Sequence, residues 1–285
     1  MNRKILIVND DGILADGLIR LAGTARAFGD VWVVAPETQR SAASHSISLH
    51  DAVDVWPVGF PVEGVHAFAC SGTPGDCVRI GSQNVMPERP DVVLSGINRG
   101  HNVASDIQYS ATAGAAFEAA FQGIPGIALS EGASGSHEVT DHYLPEVLKE
   151  LFRVVAEDCQ GASQGQSGEI SQGESGEGTR GQVHGKSQGK HQELNQGLFQ
   201  ELRSTLILNV NFPNCPLSEC RGILRNRTVG QTPVFRDSYV LQETLPGGRL
   251  RFVVEGTYCP TAEEGTDFRA VLDNYVSIGM VRNVC

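Results

Sequence analysis

The chain has 285 residues, a formal net charge of −11 and 40% apolar residues, with 33 glycines and 13 prolines. That length buries a sizeable core, as a single domain over residues 1–285 or a domain with an appendage, and the composition suits an α/β protein rich in tight turns. The acidic balance argues against polymeric nucleic acid as a partner, and no apolar run approaches the roughly 20 residues that span a bilayer.

Ile5 to Val8 is an unbroken apolar run that predicts a strand buried on both faces, and it ends directly in Asn9-Asp10-Asp11-Gly12. Open α/β sheets place ligands at the C-terminal ends of their strands. Two adjacent carboxylates repel each other unless a cation or a shared proton lies between them, and a hard divalent metal is the simplest resolution. Asn-Asp-Asp-Gly is equally good turn chemistry, so an Asx turn stays open as the alternative. The short apolar stretch behind Arg3 and Lys4 ends in acids and is no signal peptide, which leaves the expectation of a cytoplasmic protein.

A helix follows over Ala15 to Phe28, then a buried strand over Val31 to Ala35 and a polar loop over Pro36 to Ser48. Strand-like stretches cover Val53 to Val58 and Gly64 to Ala69. Thr73-Pro74-Gly75-Asp76 carries a capping signature, with Thr as N-cap, Pro at the first helical position and Asp at the third. Strands are predicted over Asp91 to Ser95 and Pro125 to Ser130, and helices over Thr112 to Gln122 and Asp141 to Glu157. This alternation predicts a doubly wound, mostly parallel sheet with helices on both faces.

The composition then breaks. Between Gln160 and Gln196, 22 of 37 residues are Gly, Gln or Ser, too polar a stretch to offset its ordering entropy, so residues 160–196 read as a flexible insertion. A strand resumes over Leu206 to Asn211. Residues 222–260 read as a β-hairpin arm, with Tyr239 to Thr244 and Leu250 to Glu255 joined at Pro246-Gly247-Gly248, and Tyr275 to Ile278 as a last strand. The seven cysteines form no CxxC pair and indicate neither a zinc site nor a disulfide framework.

Three more polar clusters follow predicted strands or open helices. Arg40 to Ser46 is rich in hydroxyls. Ser95 to Asn102 combines glycines, which allow close backbone approach, with Asn carbonyls that can ligate a hard cation. Ser110-Ala111-Thr112-Ala113-Gly114 opens a helix whose free N–H groups and hydroxyls suit phosphate, an ordinary N-cap being the alternative.

With these residues in view, the chain closely resembles the SurE (survival protein E) family of metal-dependent nucleotidases. The resemblance rests on ILIVNDDGILADGL, VVAPETQRSAASHSISL, SGTPGDCVRIG, PDVVLSGINRGHNVASDIQYSATAGAAFEAA and GIPGIALS, with LNVNFP and EGTDFRAVLDNYVSI later. It implies a Rossmann-like α/β fold with a hairpin arm used to form homodimers or homotetramers. It also implies hydrolysis of nucleoside 5′-monophosphates, with 3′-monophosphates and short polyphosphate as further substrates, using one magnesium or manganese ion. Carried over position by position, the resemblance puts the metal ligands at Asp10, Asp11, Ser41 and Asn98. Asp10 and Asp11 become the catalytic pair, and Asn9, Asn102, Ser110 and Thr112 the contacts to substrate phosphate.

Several positions depart from the family pattern or stay open. The family has Gly where this chain has Ala111, which matters if that position needs a positive φ and is harmless if it is helical. The family's last strand runs on into a Thr-Pro-Leu segment that is not found after Tyr275 to Met280, which bears on the oligomer. Asp267 reads equally as a secondary site residue or a structural one, and His45 and His101 as solvated loop residues. A non-catalytic metal–nucleotide binding module is the second functional reading. A dinucleotide-dependent dehydrogenase is disfavoured, because no G-x-G-x-x-G follows the first strand.

Overall fold

Ile5 and Ile7 pack into one apolar cluster, and Leu6 and Val8 into another. The first strand is therefore buried on both faces, as its unbroken apolar run requires. The computed structural model describes residues 3–163 and 206–282. Among these the elements run β1 (Arg3–Val8), α1 (Asp16–Ala25), β2 (Gly29–Pro36), β3 (Val55–Pro57), β4 (His66–Cys70), α2 (Pro74–Ile80) and β5 (Val92–Arg99). They continue as α3 (Ala111–Phe121), β6 (Gly126–Glu131), α4 (Glu138–Ser163), β7 (Leu206–Phe212), β8 (Ile223–Arg227), β9 (Phe235–Leu245), β10 (Arg249–Tyr258), α5 (Asp267–Leu272) and β11 (Val276–Arg282). No helix among the described residues is long and apolar enough to cross a membrane.

The main sheet has nine strands in the order β3-β4-β2-β1-β5-β6-β7-β11-β8. Its centre, β4-β2-β1-β5-β6-β7, is parallel throughout. β3 and β11 join it antiparallel. From β1 the chain winds outward through β2 and β4, then returns to the other side of β1 and winds outward through β5, β6 and β7. That is the Rossmann order, and the direction reverses between β1 and β5. Loops leaving these two neighbours diverge and open a crevice at the sheet's C-terminal edge.

Helices cover both faces. Leu18 and Leu21 of α1 with Leu144, Val147 and Leu148 of α4 close one side, and Cys77 and Val78 of α2 with Ala115 and Ala119 of α3 close the other. Each such fully buried leucine or isoleucine favours the fold by ~2 kcal/mol relative to exposure. α2 begins as its sequence predicts: Thr73 Oγ1 accepts from Asp76 N–H at 3.1 Å, and the Asp76 carboxylate accepts from Thr73 N–H at 2.9 Å. Arg20 of α1 ties the other face to the sheet, pairing with Asp141 of α4 at 2.8 Å and with the buried Glu131 at the end of β6.

The hairpin is present as β9 and β10, an antiparallel pair outside the main sheet. Ile223–Arg227, which the sequence places in the arm, instead forms the edge strand β8 beside β11, and the hairpin begins at Phe235. The insertion expected over 160–196 falls mostly outside the described residues; α4 extends through its first four, Gln160 to Ser163.

Candidate active site at the sheet switch point

Asn9, Asp10 and Asp11 leave β1 on the crevice floor. The Asn9 carboxamide folds back on the turn, donating to Gly12 O at 2.9 Å and accepting from Gly12 N–H at 3.3 Å. Gly12 has φ +111°, a conformation that disfavours any residue with a Cβ. Asn9 is fully buried, so its side chain shapes the turn that presents the two acids.

Asp10 is 5% exposed. Its Oδ1 accepts from the Thr112 hydroxyl at 2.6 Å, and its backbone carbonyl accepts from Arg40 N–H at 2.7 Å. Burial pushes its carboxyl up to about 6; Thr112 opposes that rise and the charge of Asp11 adds to it. Asp11 is raised as well, chiefly by burial, against the pull of Arg99 and Gln39. Its Oδ2 accepts from Arg99 N–H at 3.2 Å, a bond that crosses the switch point from β1 to β5.

The loop after β2 arches over this pair. The Gln39 carboxamide donates both to Asp11 Oδ1, at 3.3 Å, and to Ser41 Oγ, at 2.9 Å, and so links the second acid to the hydroxyl. Ala42 and Ser44 beyond it adopt φ of +57° and +52°, each costing on the order of 1 kcal/mol. Asn98, at the end of β5, donates its amide to Gly100 O at 2.8 Å, which leaves its carbonyl oxygen as the side chain's acceptor. Asp10, Asp11, Ser41 and Asn98 thus stand at the ends of three neighbouring strands, two of them tied through Gln39.

The other expected contacts are more committed. Thr112 is fully buried with its hydroxyl spent on Asp10. Asn102 is also buried: its amide donates to Ser130 Oγ at 2.7 Å, its N–H to Asn211 Oδ1 at 2.8 Å, and its carbonyl accepts from Asn209 and Asn211. It locks the loop after β5 onto β6 and β7. Ser110 is the N-cap of α3, accepting from Ala113 N–H at 3.0 Å. Ala111 is the first residue of that helix and is not among the positive-φ positions, so the methyl group it adds to the family pattern is harmless.

A cavity of about 690 Å³ opens beside Ser110, with Ser44, Gly114, Phe117, Gly230 and Val281 in its wall. Ser110, Gly114 and Phe117 form one stripe of α3, whereas Thr112 lies about 200° round the helix from Ser110. The cavity therefore lies against a different face of α3 from the one that carries Thr112 to Asp10.

Two contributors have no signal in the sequence pattern: Gln39 and the backbone N–H of Arg99. Asp267 resolves as structural. Buried in α5, its carboxylate accepts from Ala104, Gly230 and Phe268 N–H groups, pinning three segments together, and burial lifts it to about 6 against those bonds. His101 donates to Phe212 O at 2.8 Å in a buried setting that lowers its pKa. His45 is no solvated residue either: its Nε2 lies 2.8 Å from Glu118 Oε2.

The donors fit a hard cation. All four are oxygens, two of them carboxylates that burial holds in an unfavourable charged state unless a positive charge joins them. Among the described residues no group of three or more His, Cys, Asp or Glu side chains is placed to hold a metal, so the set depends on the Ser41 hydroxyl and the Asn98 carbonyl.

The survival protein SurE family profile matches residues 5–233. The 5′-nucleotidase SurE of Pelobacter propionicus is 34% identical over 277 residues, 96% of this chain and 91% of that protein. The 5′-nucleotidase SurE of Methylorubrum extorquens is 50% identical over 136 residues, 46% of this chain and 52% of that protein. The crystal structure of the SurE protein from Aquifex aeolicus superposes with a TM-score of 0.65 at 27% identity, covering 98% of this chain and 92% of that one. With the profile spanning most of its length and a relative aligned almost end to end, the chain belongs to the SurE family.

Proposed function

We propose that this protein is a 5′-nucleotidase, a phosphomonoesterase that releases phosphate from nucleoside 5′-monophosphates with one divalent cation, magnesium or manganese, held by Asp10, Asp11, Ser41 and Asn98. The observation that carries this reading is the link from Asp11 through Gln39 to Ser41 on the crevice that Arg99 N–H closes against Asp11. Nucleoside 3′-monophosphates and short polyphosphate are further candidate substrates, on the family resemblance alone.

A cation bound there supplies positive charge to the phosphoryl oxygens and makes attacking water more acidic. Thr112 fixes the Asp10 carboxylate, which would be placed to take a proton from the attacking water. The first N–H groups of α3 have no intrahelical partner, and with the Ser110 cap they offer a positive helix end to the phosphate.

The hairpin suits an arm that joins copies into a homodimer or homotetramer. Tyr239 is 74% exposed, and Leu250, Phe252 and Val254 are exposed with it, an apolar surface on a two-stranded pair that is marginal alone in water. A cytoplasmic setting follows from the same reading.

Phosphate release should be measured on a panel of nucleoside monophosphates with Mn²⁺, with chelator, and with Asp10→Asn. Release by the wild type that chelator and Asp10→Asn both abolish is the expected result. Absence of metal-dependent release from every nucleotide refutes the activity, and full activity in Asp10→Asn refutes the site.

A further inference from the structure

The loop that carries Ser41 is anchored downstream of it, onto two helices. Ser44 donates its N–H to Tyr109 O at 3.2 Å and its hydroxyl to Gln108 O at 2.7 Å. Ser46 O accepts from the Thr73 hydroxyl at 2.7 Å, and Ser48 donates to the Asp76 carboxylate. Ser44 O also presses on Gly114 of α3, where a Cβ would lie 2.2 Å from it.

Between these anchors sits His45, 2.8 Å from the Glu118 carboxylate. A carboxylate only accepts, so the His45 Nε2–H is the donor. Glu118 is 3% exposed, and its other oxygen takes Arg79 of α2 at 3.0 Å and Gln122 at 2.9 Å. Those bonds and charges hold Glu118 below the usual carboxylate range although burial pushes the other way. One buried acid therefore joins the Ser41 loop, α2 and α3. Through Thr112, the same α3 fixes Asp10. The left-handed Ala42 and Ser44 lie between Ser41 and His45, and such conformations persist only where the surroundings impose them.

We propose that His45 and Glu118 are positioning residues: their hydrogen bond latches the Ser41 loop to α3 and sets the Ser41 hydroxyl in register with Asp10 and Asp11 for a divalent cation. This rests on the ligand set proposed above.

The test titrates the full chain with Mn²⁺, following free Mn²⁺ by electron paramagnetic resonance, and measures the Mn²⁺ dependence of phosphate release in parallel. His45→Ala is expected to weaken Mn²⁺ binding about tenfold, the scale of one lost hydrogen bond to a charged group. Half-saturating Mn²⁺ should rise by the same factor while kcat at saturating Mn²⁺ recovers. His45→Gln, which keeps an N–H for Glu118, should restore most of the affinity. Arg79→Gln, which frees Glu118 from α2 but leaves His45 in place, should lower thermal stability without changing Mn²⁺ affinity. If His45→Ala fails to fold, the bulkier His45→Leu takes its place in the comparison with His45→Gln. Wild-type affinity in His45→Ala or His45→Leu overturns the latch alone. Equal losses in His45→Gln and Arg79→Gln overturn it too, reducing Glu118 to a packing role. A wild type that neither binds Mn²⁺ nor releases phosphate overturns the latch together with the functional reading.

Discussion

Thr112→Val removes one hydroxyl from a fully buried site with almost no change in shape. That hydroxyl donates to Asp10 at 2.6 Å and holds the carboxyl at about 6 against burial and the Asp11 charge. A hydrogen bond to a charged group is worth about 1.5–3 kcal/mol. At about 1.4 kcal/mol for each pH unit, its loss moves the Asp10 midpoint up by about one to two pH units. In the metal-free protein, ¹³C NMR of the aspartate side-chain carboxyls reads this directly, with the Asp10 signal assigned by its disappearance in Asp10→Asn. Stability provides the linked measurement. Because the folded-state pKa lies above the unfolded value of about 3.9, the neutral acid favours the folded state. That contribution is fully present below about pH 3.9 and is lost as pH rises through about 6, amounting to about 3 kcal/mol. In Thr112→Val the window of loss extends upward by the same amount. An Asp10 midpoint that stays in place or falls in the variant would show that Thr112 does not set the ionisation of this acid.

Gln39→Ala cuts the bridge between Asp11 and Ser41 and should raise half-saturating Mn²⁺ several-fold with the melting temperature nearly unchanged, since an exposed hydrogen bond adds ~1 kcal/mol or less; unchanged Mn²⁺ dependence would remove Gln39 from the site. Gly114→Ala places a Cβ 2.2 Å from Ser44 O and should destabilise by about 1–3 kcal/mol while impairing Mn²⁺ binding, read by thermal melts and titration together. Asp267→Asn should lower stability by about 1–3 kcal/mol, because an amide group replaces an oxygen that backbone N–H donors face. Its Mn²⁺ affinity should survive, and a selective loss of metal binding there would give Asp267 a role in the site. Deleting 161–189, which carries none of the motif residues, should leave turnover intact.

The sequence made the parallel core legible because its strands are short apolar runs and α2 begins on a recognisable cap, Thr73 with Asp76. β8 escaped because Ile223–Arg227 offers only two apolar residues to a half-exposed edge, and α5 because six residues span too few turns to show a period. The acids were readable because a strand end fixes where a residue stands. It does not fix which way a side chain turns: Asn9 and Asn102 in their loops and Thr112 at the start of α3 stand where expected, with side chains engaged by the protein itself. Gln39 was illegible for a related reason, since its role exists only once the loop after β2 has folded over the end of β1.

The alanine-rich α3 shows how composition and function meet. Read alone, ATAGAAFEAAF is a strong helix former. Its alanines 111, 113, 115, 116, 119 and 120 are all essentially inaccessible, so the helix is pressed on nearly every side and small residues are what allow the approach. Three further residues of the helix serve the crevice: Thr112 reaches Asp10, Gly114 admits Ser44, and Glu118 receives His45. The acid on β1 and the hydroxyl loop after β2 are therefore both referenced to one rigid element. A displacement of α3 would move them together, whereas a break at Thr112 or at His45 would separate them.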